Sequence, residues 1–300
     1  MTTPNSSNPA AAFYASPAAR ALGAAVRTAH RLSADIGTAL AMRLFFTPVA
    51  RDRRARVLAV PAPWRREHHR FESGHVVSWQ RADTAGARRV LLTHGWAGDA
   101  QQLRVMGEAL AAAGFDPVLL DLPAHGASEG ARATLPQWVR ALFAVSATLG
   151  PWHGVVAHSL GALAVAHASA RGLSAQRLAL VAPSPPPALF LRWYAAGLGL
   201  TESLAERMER AIARREGVGV EQFAPEWLGS RVTQPTLVLH DEADRTAPLA
   251  TGRALADALP RARLQVTQGL GHRRILEDAA VVDAVVRHLA AERRPSRSVL

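Results

Sequence analysis

The feature that most constrains the fold of this 300-residue chain is an alternation of short apolar runs with longer helical patterns, from about residue 70 onward. Short apolar runs are typical of buried strands, and strong helix formers fill the stretches between them. The alternation predicts an α/β fold with a mostly parallel central sheet flanked by helices. The runs predicted as strands are GHVVSWQ (74–80), RVLLTHG (89–95), PVLLD (117–121), GVVAH (154–158), RLALVA (177–182), TLVLH (236–240) and RLQVT (263–267). The predicted helices cover about 99–113, 135–149, 160–171, 248–259 and 277–291.

One internal segment breaks this alternation. Residues 184–231 have helical patterning and no convincing strand, so we expect a small helical cap over the carboxyl edge of the sheet. Ligands in open parallel sheets bind outside the carboxyl ends of the strands, and a cap at this place would cover them. The domain boundaries expected are a disordered start (1–15), an N-terminal helical extension (16–60), two core parts (61–183 and 232–292), the cap between them, and a flexible end (293–300).

The N-terminal extension has its own pattern. It is alanine-rich from about Ser16 to Phe46, with apolar residues that recur every four positions, which predicts one amphipathic helix. The recurring residues are Leu32, Ile36, Leu40 and Leu44. Two placements stay open: the helix docks on the domain, or it makes peripheral contact with a membrane surface through Arg20, Arg27, Arg31 and Arg43.

Charge and composition restrict the partners. The formal net charge is +11, yet the chain has no lysine, and its arginine and alanine content indicates compositional bias more than selection for a polyanion. The basic clusters lack the interleaved aromatic residues of a base-stacking surface, so we interpret them as solvated and expect no nucleic-acid partner. These clusters are RDRRAR (51–56), WRREHHR (64–70) and ERRPSR (292–297).

The residue types and the first residues of the sequence bear on cofactors, membrane spans and localisation. The chain has no cysteine, which excludes disulfides and thiolate metal sites, and we expect neither a metal nor a cofactor. No apolar run reaches the roughly 18 residues of a spanning helix, and the first ten residues do not resemble a secretory signal. We therefore expect a cytoplasmic protein, with its oligomeric state left open.

The stretch AHSLGA (157–162) places a serine between a predicted strand and a predicted helix. A nucleophile elbow of the form G-x-S-x-G has this arrangement, with small residues where the helix passes close to the strand. Gly161 is the second glycine of that form, and Ala157 stands where the first is usual, with one extra methyl group. Ser159 is thus a candidate nucleophile, and a simple helix N-cap is the alternative.

A serine nucleophile needs a base and an acid that orients the base. His272, in GLGHRR after the last predicted strand, is the candidate base, because His158 adjoins the serine and must point elsewhere. The acid should follow the preceding strand, where HDEADRTAP offers Asp244 and, in reserve, Asp241. Ordinary loop residues are the alternative for both.

Acyl transfer also needs hydrogen-bond donors for the developing oxyanion. The backbone N–H groups of Leu160 and Trp96 are the candidates; Trp96 lies in the glycine-containing HGWAG loop, which we expect His94 to brace. The indole of Trp96 and aromatic rings of the cap would line the substrate, although the rings could equally form the core of the cap. The cap rings are Phe190, Trp193, Tyr194, Phe223 and Trp227.

Taken together, the ordered motifs resemble the α/β-hydrolase family, in particular its lysophospholipase-like and serine-aminopeptidase-like branch with a helical cap. The resemblance covers about residues 70–291, and Ala157, Ala124 and Asp241 stand where the family usually has glycine. It implies Ser159 as nucleophile, Asp244 as acid and His272 as base. It also implies the backbone N–H groups of Trp96 and Leu160 as oxyanion donors. The motifs are HGWAG (94–98), DLPAHGAS (121–128), AHSLGA (157–162), HDEADRTAP (240–248) and GLGH (269–272).

The function expected from the motifs is a serine hydrolase that cleaves a small-molecule acyl ester through an acyl-enzyme intermediate. A thioesterase, an amidase or peptidase, and a C–C bond hydrolase are alternatives on the same fold. A binding module that has the fold without catalysis is the alternative from another class, and the complete Ser159, Asp244 and His272 set weighs against it.

Overall fold

A computed structural model of the chain describes residues 17–48, 62–200 and 202–291. Eight strands form one sheet in the order β1-β2-β4-β3-β5-β6-β7-β8. The strands are β1 (Trp64–Phe71), β2 (Gly74–Arg81), β3 (Arg88–Thr93), β4 (Phe115–Asp121), β5 (Gly154–His158), β6 (Leu178–Val181), β7 (Thr236–Asp241) and β8 (Ala262–Thr267). The helices are α1 (Pro17–Leu32), α2 (Ala34–Phe45), α3 (Arg104–Ala112), α4 (Leu135–Leu149), α5 (Leu160–Ala170), α6 (Pro187–Gly197), α7 (Glu202–Glu216), α8 (Pro225–Gly229), α9 (Leu249–Ala258), α10 (Gly271–Arg274) and α11 (Ala279–Ala290).

The sheet is parallel from β4 to β8, and only the pairs β1–β2 and β2–β4 are antiparallel. Every residue of β4, β5, β6 and β7 is buried, as expected for parallel strands covered on both faces. Successive residues alternate between two apolar clusters: Val155 and Ala157 belong to one, and Val156 to the other. The predicted α/β architecture is confirmed.

Strand β1 was not predicted from the sequence. Its residues, WRREHHRF, were interpreted as part of a solvated basic cluster, whereas they pair antiparallel with β2 along their whole length. Only Trp64 and Phe71, at the two ends, are buried, and the residues between them are almost all exposed. An edge strand tolerates charged side chains on its open face, so the apolar alternation that reveals a strand is missing here.

The N-terminal segment is helical, but the single helix predicted for 16–46 is two helices. Ser33 is extended, with φ −157° and ψ 125°, and its hydroxyl accepts from the N–H of Ile36 as the cap of α2. Because the helix breaks there, the four-residue repeat does not form one face: Leu32 is 82% exposed and Ile36 is 60% exposed. A side chain at Gly37 would collide with the backbone of His30, so glycine permits the close approach of the two helices.

The two N-terminal helices pack on the segment between β6 and β7. The hydroxyl of Tyr194, on α6, donates to the carbonyl of Ala41, on α2, over 2.9 Å, and Arg207 of α7 lies 3.4 Å from Asp35. Helices α1, α2, α6 and α7 share an apolar cluster that is distinct from the two clusters on the faces of the sheet. The contact agrees with docking on the protein, one of the two placements left open by the sequence. In the described residues, no helix has the length and apolarity to cross a membrane.

Residues 184–200 and 202–231 contain helices and no strand, in agreement with the pattern in the sequence. Several expectations fall outside the described residues and cannot be compared with the structure: the disordered start (1–15), the basic clusters at 51–56 and 292–297, and the flexible end (293–300).

Two buried histidines pack where helices meet the sheet and the segment between β6 and β7. The ring of His167, on α5, stacks on Phe223 and Trp227 at centroid distances of 4.3 and 5.2 Å. Burial, assisted by the charge of Arg171, lowers the pKa of His167 to about 4. His288, on α11, donates from Nε2 to the carbonyl of Leu178 over 2.9 Å, and burial with neighbouring arginines lowers its pKa to about 4.

These two pKa values predict a stability that depends on pH. The free energy of unfolding should fall as pH decreases from about 6.5 to about 4, because unfolded histidines take up protons in that range and the folded ones do not. Each histidine should contribute up to about 1.4 kcal/mol per pH unit. Urea denaturation across this range measures the slope. His167→Phe should retain the ring stack and reduce the slope, whereas Phe223→Leu should lower stability with the slope unchanged; an identical slope in His167→Phe and wild type would contradict the assignment.

Candidate active site

Ser159 occupies a sharp turn between β5 and α5. Its backbone has φ 54° and ψ −121°, a region that residues with a Cβ rarely adopt and that clusters at functional sites. Its N–H donates to the carbonyl of Val181 over 2.9 Å, which ties the turn to the neighbouring strand. The hydroxyl makes no capping bond to α5, so the alternative of a simple helix N-cap does not describe this serine.

Two glycines make room for the turn. A Cβ at Gly161 would lie 2.3 Å from the carbonyl oxygen of His94, and a Cβ at Gly95 would lie 2.7 Å from the Cβ of Ser159. The close approach that requires glycine is therefore to the HGWAG loop after β3. Ala157, near the end of β5, is fully buried in the apolar cluster on one face of the sheet, together with Ala162 and Leu163 of α5.

The three residues proposed as a set from the sequence lie together at the carboxyl ends of β5, β7 and β8. Nε2 of His272 is 2.9 Å from Oγ of Ser159, and Nδ1 of His272 is 2.7 Å from Oδ2 of Asp244. A carboxylate only accepts, so Nδ1 carries the proton and Nε2 is free to accept from the serine hydroxyl. The side chain of Asp244 is fully buried, whereas that of His272 is 13% exposed.

Asp244 is held as an anion by its hydrogen bonds. Burial would raise its pKa, but the bond from His272 and the backbone N–H groups of Ala247 and Thr246 outweigh burial and lower the pKa below its ordinary value. Those N–H groups donate to Oδ1 over 2.9 and 2.7 Å, which leaves Oδ2 for the imidazole. The arrangement can polarise a serine hydroxyl and stabilise an imidazolium at His272.

Asp241, the reserve acid, has a different set of partners. Oδ2 accepts from the hydroxyl of Thr267 over 2.8 Å and from the N–H of Leu270 over 3.0 Å, and Oδ1 accepts from the N–H of Gly271 over 2.9 Å. The carboxylate therefore ties the end of β7 to the loop that carries His272. No bond joins Asp241 to the His272 ring among the hydrogen bonds of residues 202–291.

The HGWAG loop is braced by two histidines. Nδ1 of His94 donates to the carbonyl of Gly95 over 2.7 Å, and its Nε2 accepts from the N–H of Leu122 over 3.0 Å. Nε2 of His125 accepts from the N–H of Ala97 over 3.0 Å. The bracing role expected for His94 is seen, and His125, which was not expected to contact this loop, shares it.

The candidate oxyanion donors lie on the two segments that meet at the turn. Leu160 is the first residue of α5, and an N–H at that position has no acceptor within its own helix. Trp96 follows Gly95, whose backbone lies against Ser159. The partly exposed indole of Trp96 packs edge-on against His125, with centroids 5.0 Å apart, and lies tilted at 33° against Trp138, with centroids 6.0 Å apart.

The aromatic residues expected to line a substrate have different environments. Phe190 and Trp193, on α6, are partly exposed and contact each other with centroids 5.5 Å apart. Tyr194 is a correction: it is buried in the cluster shared with the N-terminal helices, where its hydroxyl bonds to a backbone carbonyl, and it is not available to a substrate. Phe223 and Trp227 stack on His167, which agrees with the alternative that aromatic rings of this segment pack in a core.

One residue at this site was not found by sequence reasoning. His158 was excluded as the base and given no other role; its Nε2 is 2.9 Å from the backbone carbonyl of His272. Burial first, and the neighbouring His272 second, lower the pKa of His158 to about 3. A contact between the end of β5 and the loop after β8, 114 positions apart in the chain, leaves no signal in the local sequence. In the part of the chain that the structure describes, no group of His, Asp and Glu side chains is arranged to hold a metal ion.

Two family models match the chain. One, described as the alpha/beta hydrolase fold, matches residues 88–224, and the other, described as TAP-like protein, matches residues 220–299. Their matched ranges together include all the residues of the site described above. No protein with a curated function matches the sequence.

Many solved structures are similar to the chain in fold. A serine hydrolase from Cycloclasticus zankles is 16% identical with a TM-score of 0.58, and the match covers 75% of this chain and 97% of that one. An esterase from Pyrococcus furiosus is 16% identical with a TM-score of 0.58, covering 81% and 96%. Est1E from Butyrivibrio proteoclasticus, solved with ferulic acid bound, is 18% identical with a TM-score of 0.57, covering 75% and 100%. At these identities the likeness establishes the fold.

The contacts of Asp241 predict a role in stability. Asp241→Asn should lower the free energy of unfolding by about 1–3 kcal/mol, because one of its oxygens becomes an NH₂ group that faces backbone N–H donors. Asp257→Asn, at an exposed position of α9, is the control and should change stability by less than about 0.5 kcal/mol. Urea denaturation of both variants measures the difference, and equal stabilities would show that Asp241 does not hold the loop.

Proposed function

Because the chain belongs to the α/β-hydrolase family, we propose that it is a serine hydrolase that cleaves carboxylic esters through an acyl-enzyme intermediate. The observation that carries the proposal is the unbroken chain of hydrogen bonds from Ser159 Oγ through the His272 ring to Asp244, at 2.9 and 2.7 Å. Nucleophile, base and orienting acid in this geometry are the recurring arrangement of serine hydrolases.

The first half of the proposed reaction acylates the serine. Oγ of Ser159 attacks the ester carbonyl carbon while its proton moves to Nε2 of His272, and the carbonyl electrons move to the oxygen. The backbone N–H groups of Leu160 and Trp96 donate to this oxyanion. The tetrahedral intermediate then collapses: the C–O bond to the alcohol breaks, and His272 gives its proton to the departing alkoxide.

The second half releases the acid. A water molecule loses a proton to Nε2 of His272 and attacks the acyl carbon, and the bond to Ser159 Oγ breaks as the imidazolium returns the proton to the serine. Asp244 stays ionised throughout, consistent with the lowered pKa of its carboxyl, and stabilises the imidazolium formed in each half. No other reactant is required.

The substrate class follows from the surroundings of the serine. Residues 184–231 are proposed as a cap: Ser184, near their start, donates from its N–H to the carbonyl of Ser159 over 3.2 Å, so the segment leaves the core next to the nucleophile. The partly exposed rings of Trp96, Phe190 and Trp193 are the proposed apolar walls. An ester with a small or medium acyl group is proposed as the substrate, in line with the esterases among the proteins of similar fold.

The proposed nucleophile can be tested by covalent labelling. Ser159→Ala should abolish both fluorophosphonate labelling and turnover of p-nitrophenyl esters without changing the melting temperature, since the hydroxyl supports chemistry and not packing. Ser169→Ala, at a buried serine on α5, is the matched control and should label like wild type. Labelling of Ser159→Ala at the wild-type rate would refute the assignment. Turnover of matched ester, acyl thioester and anilide substrates compares the proposed esterase with the thioesterase and amidase alternatives.

The proposed acid can be tested against its neighbour. In Asp244→Asn, the amide oxygen should keep the bonds from Thr246 and Ala247, which turns the amide NH₂ toward His272 and forces the proton onto Nε2 of the ring. The change should lower kcat by about 10⁴, the size of loss seen when the acid of a serine protease is changed in this way. Asp241→Asn should lose far less activity at a temperature where both variants are folded. A larger loss in Asp241→Asn would exchange the two roles.

A further inference from the structure

His158 directly precedes the proposed nucleophile and contacts the proposed base, although the reaction described above makes no use of it. Its Nε2 is 2.9 Å from the carbonyl oxygen of His272, and the centroids of the two rings are 4.7 Å apart. Because a carbonyl oxygen only accepts, Nε2 of His158 must carry a proton and donate it to this bond. His158 is only 3% exposed, so its ring is shielded from water.

The loop that carries His272 needs such a contact. Gly269 and Gly271 have φ values of 76° and 66°, a region that glycine adopts freely, so the loop has few conformational restraints of its own. Asp241 binds the N–H groups of Leu270 and Gly271 and thereby holds the start of the loop. Asp244 holds the imidazole ring. The backbone at His272 itself is held through its carbonyl, by His158.

We propose that His158 is a positioning residue: its Nε2–H holds the backbone of His272 so that the base stays within hydrogen-bond distance of Ser159. The inference rests on the proposed function. Since His158 and Ser159 are consecutive residues, the bond ties the loop of the base directly to the turn of the nucleophile. This bond thus adds a direct link between the two reacting groups, which lie 113 positions apart in the chain.

The proposed tether also has to be neutral. His272 becomes an imidazolium in each half of the reaction, and a second positive charge at this distance would oppose its formation. Burial, followed by repulsion from His272, lowers the pKa of His158 to about 3, so the ring stays uncharged while its neighbour is protonated. Nδ1 of His158 is buried without a hydrogen-bond partner among the described residues, which only an unprotonated nitrogen tolerates at modest cost.

The test compares a side chain that keeps the donor with two that lose it. The amide of His158→Gln reaches the position of Nε2, whereas His158→Leu has no donor and the amide of His158→Asn is one methylene short. His158→Leu and His158→Asn should lower kcat by about 10²-fold with KM unchanged, the size of loss that a displacement near 1 Å produces. His158→Gln should recover most of that loss.

A matched control separates positioning from stability. His288→Leu also removes a buried histidine whose Nε2–H donates to a backbone carbonyl over 2.9 Å, but its partner, Leu178, begins β6 at the opposite end of the sheet. It should lower the melting temperature while kcat stays near that of wild type. Melting temperatures of all variants, measured alongside kinetics, show which ones are folded.

A second readout follows the base directly. The proton between Nδ1 of His272 and Asp244 should give a low-field ¹H NMR signal in wild type and His158→Gln, and this signal should broaden or vanish in His158→Leu and His158→Asn. Equal kcat in wild type, His158→Leu and His158→Asn would overturn the inference, as would an equal loss in Gln, Leu and Asn variants. Failure of wild type to label at Ser159 would instead overturn the proposed function, so the two failures are distinguishable.

Discussion

The site depends on one strained turn. Ser159 has a φ of 54°, which a residue with a Cβ holds only when its surroundings fix it. The surroundings do so from three sides: the turn bonds to the end of β6 through Val181, to α5 through Ala162, and to the start of the 184–231 segment through Ser184. The loop after β3 closes the fourth side, at a distance that only glycine at positions 95 and 161 allows.

Buried polar groups at the strand ends hold the loops around this turn. Asp121, at the end of β4, accepts from the indole of Trp79 and from the N–H groups of Ala100 and Ala127. Burial raises its pKa to about 6 against the effect of these bonds. Asp241, at the end of β7, holds the loop of His272 in the same manner. Each carboxylate hydrogen-bonds to segments that are distant in sequence, so these bonds connect the loops at the carboxyl edge of the sheet into one network.

The N-terminal helices belong structurally with the proposed cap. They share an apolar cluster with α6 and α7, and Tyr194 bonds across the contact to Ala41. The proposed substrate walls on α6 therefore rest on the two N-terminal helices. Phe223 and Trp227, stacked on His167, fix the other end of the same segment to α5.

The sequence by itself determined the parallel sheet, the order of β2 to β8 along the chain, and the loops that bring His272 and an acid to Ser159. These features are local: apolar periodicity marks buried strands, and functional residues follow directly after them because parallel strands end at one edge. Strand β1 was not predicted because this edge strand buries almost only its two end residues and so lacks an apolar alternation. The helix break at Ser33 was not predicted because the four-residue apolar repeat continues on both sides of this polar cap residue.

Only the tertiary structure decided which neighbouring residues do what. Asp241 and Asp244 stand three positions apart in one loop. The His272 ring binds the carboxylate of Asp244, whereas a backbone N–H group of the loop that carries His272 binds the carboxylate of Asp241. Tyr194 and Trp193 are adjacent, and the packing of the N-terminal helices buries the first while the second stays partly exposed. The contact of His158 with His272 likewise joins two loops far apart in sequence. Such partners are set by how strands pair and helices pack, which no local pattern of residues encodes.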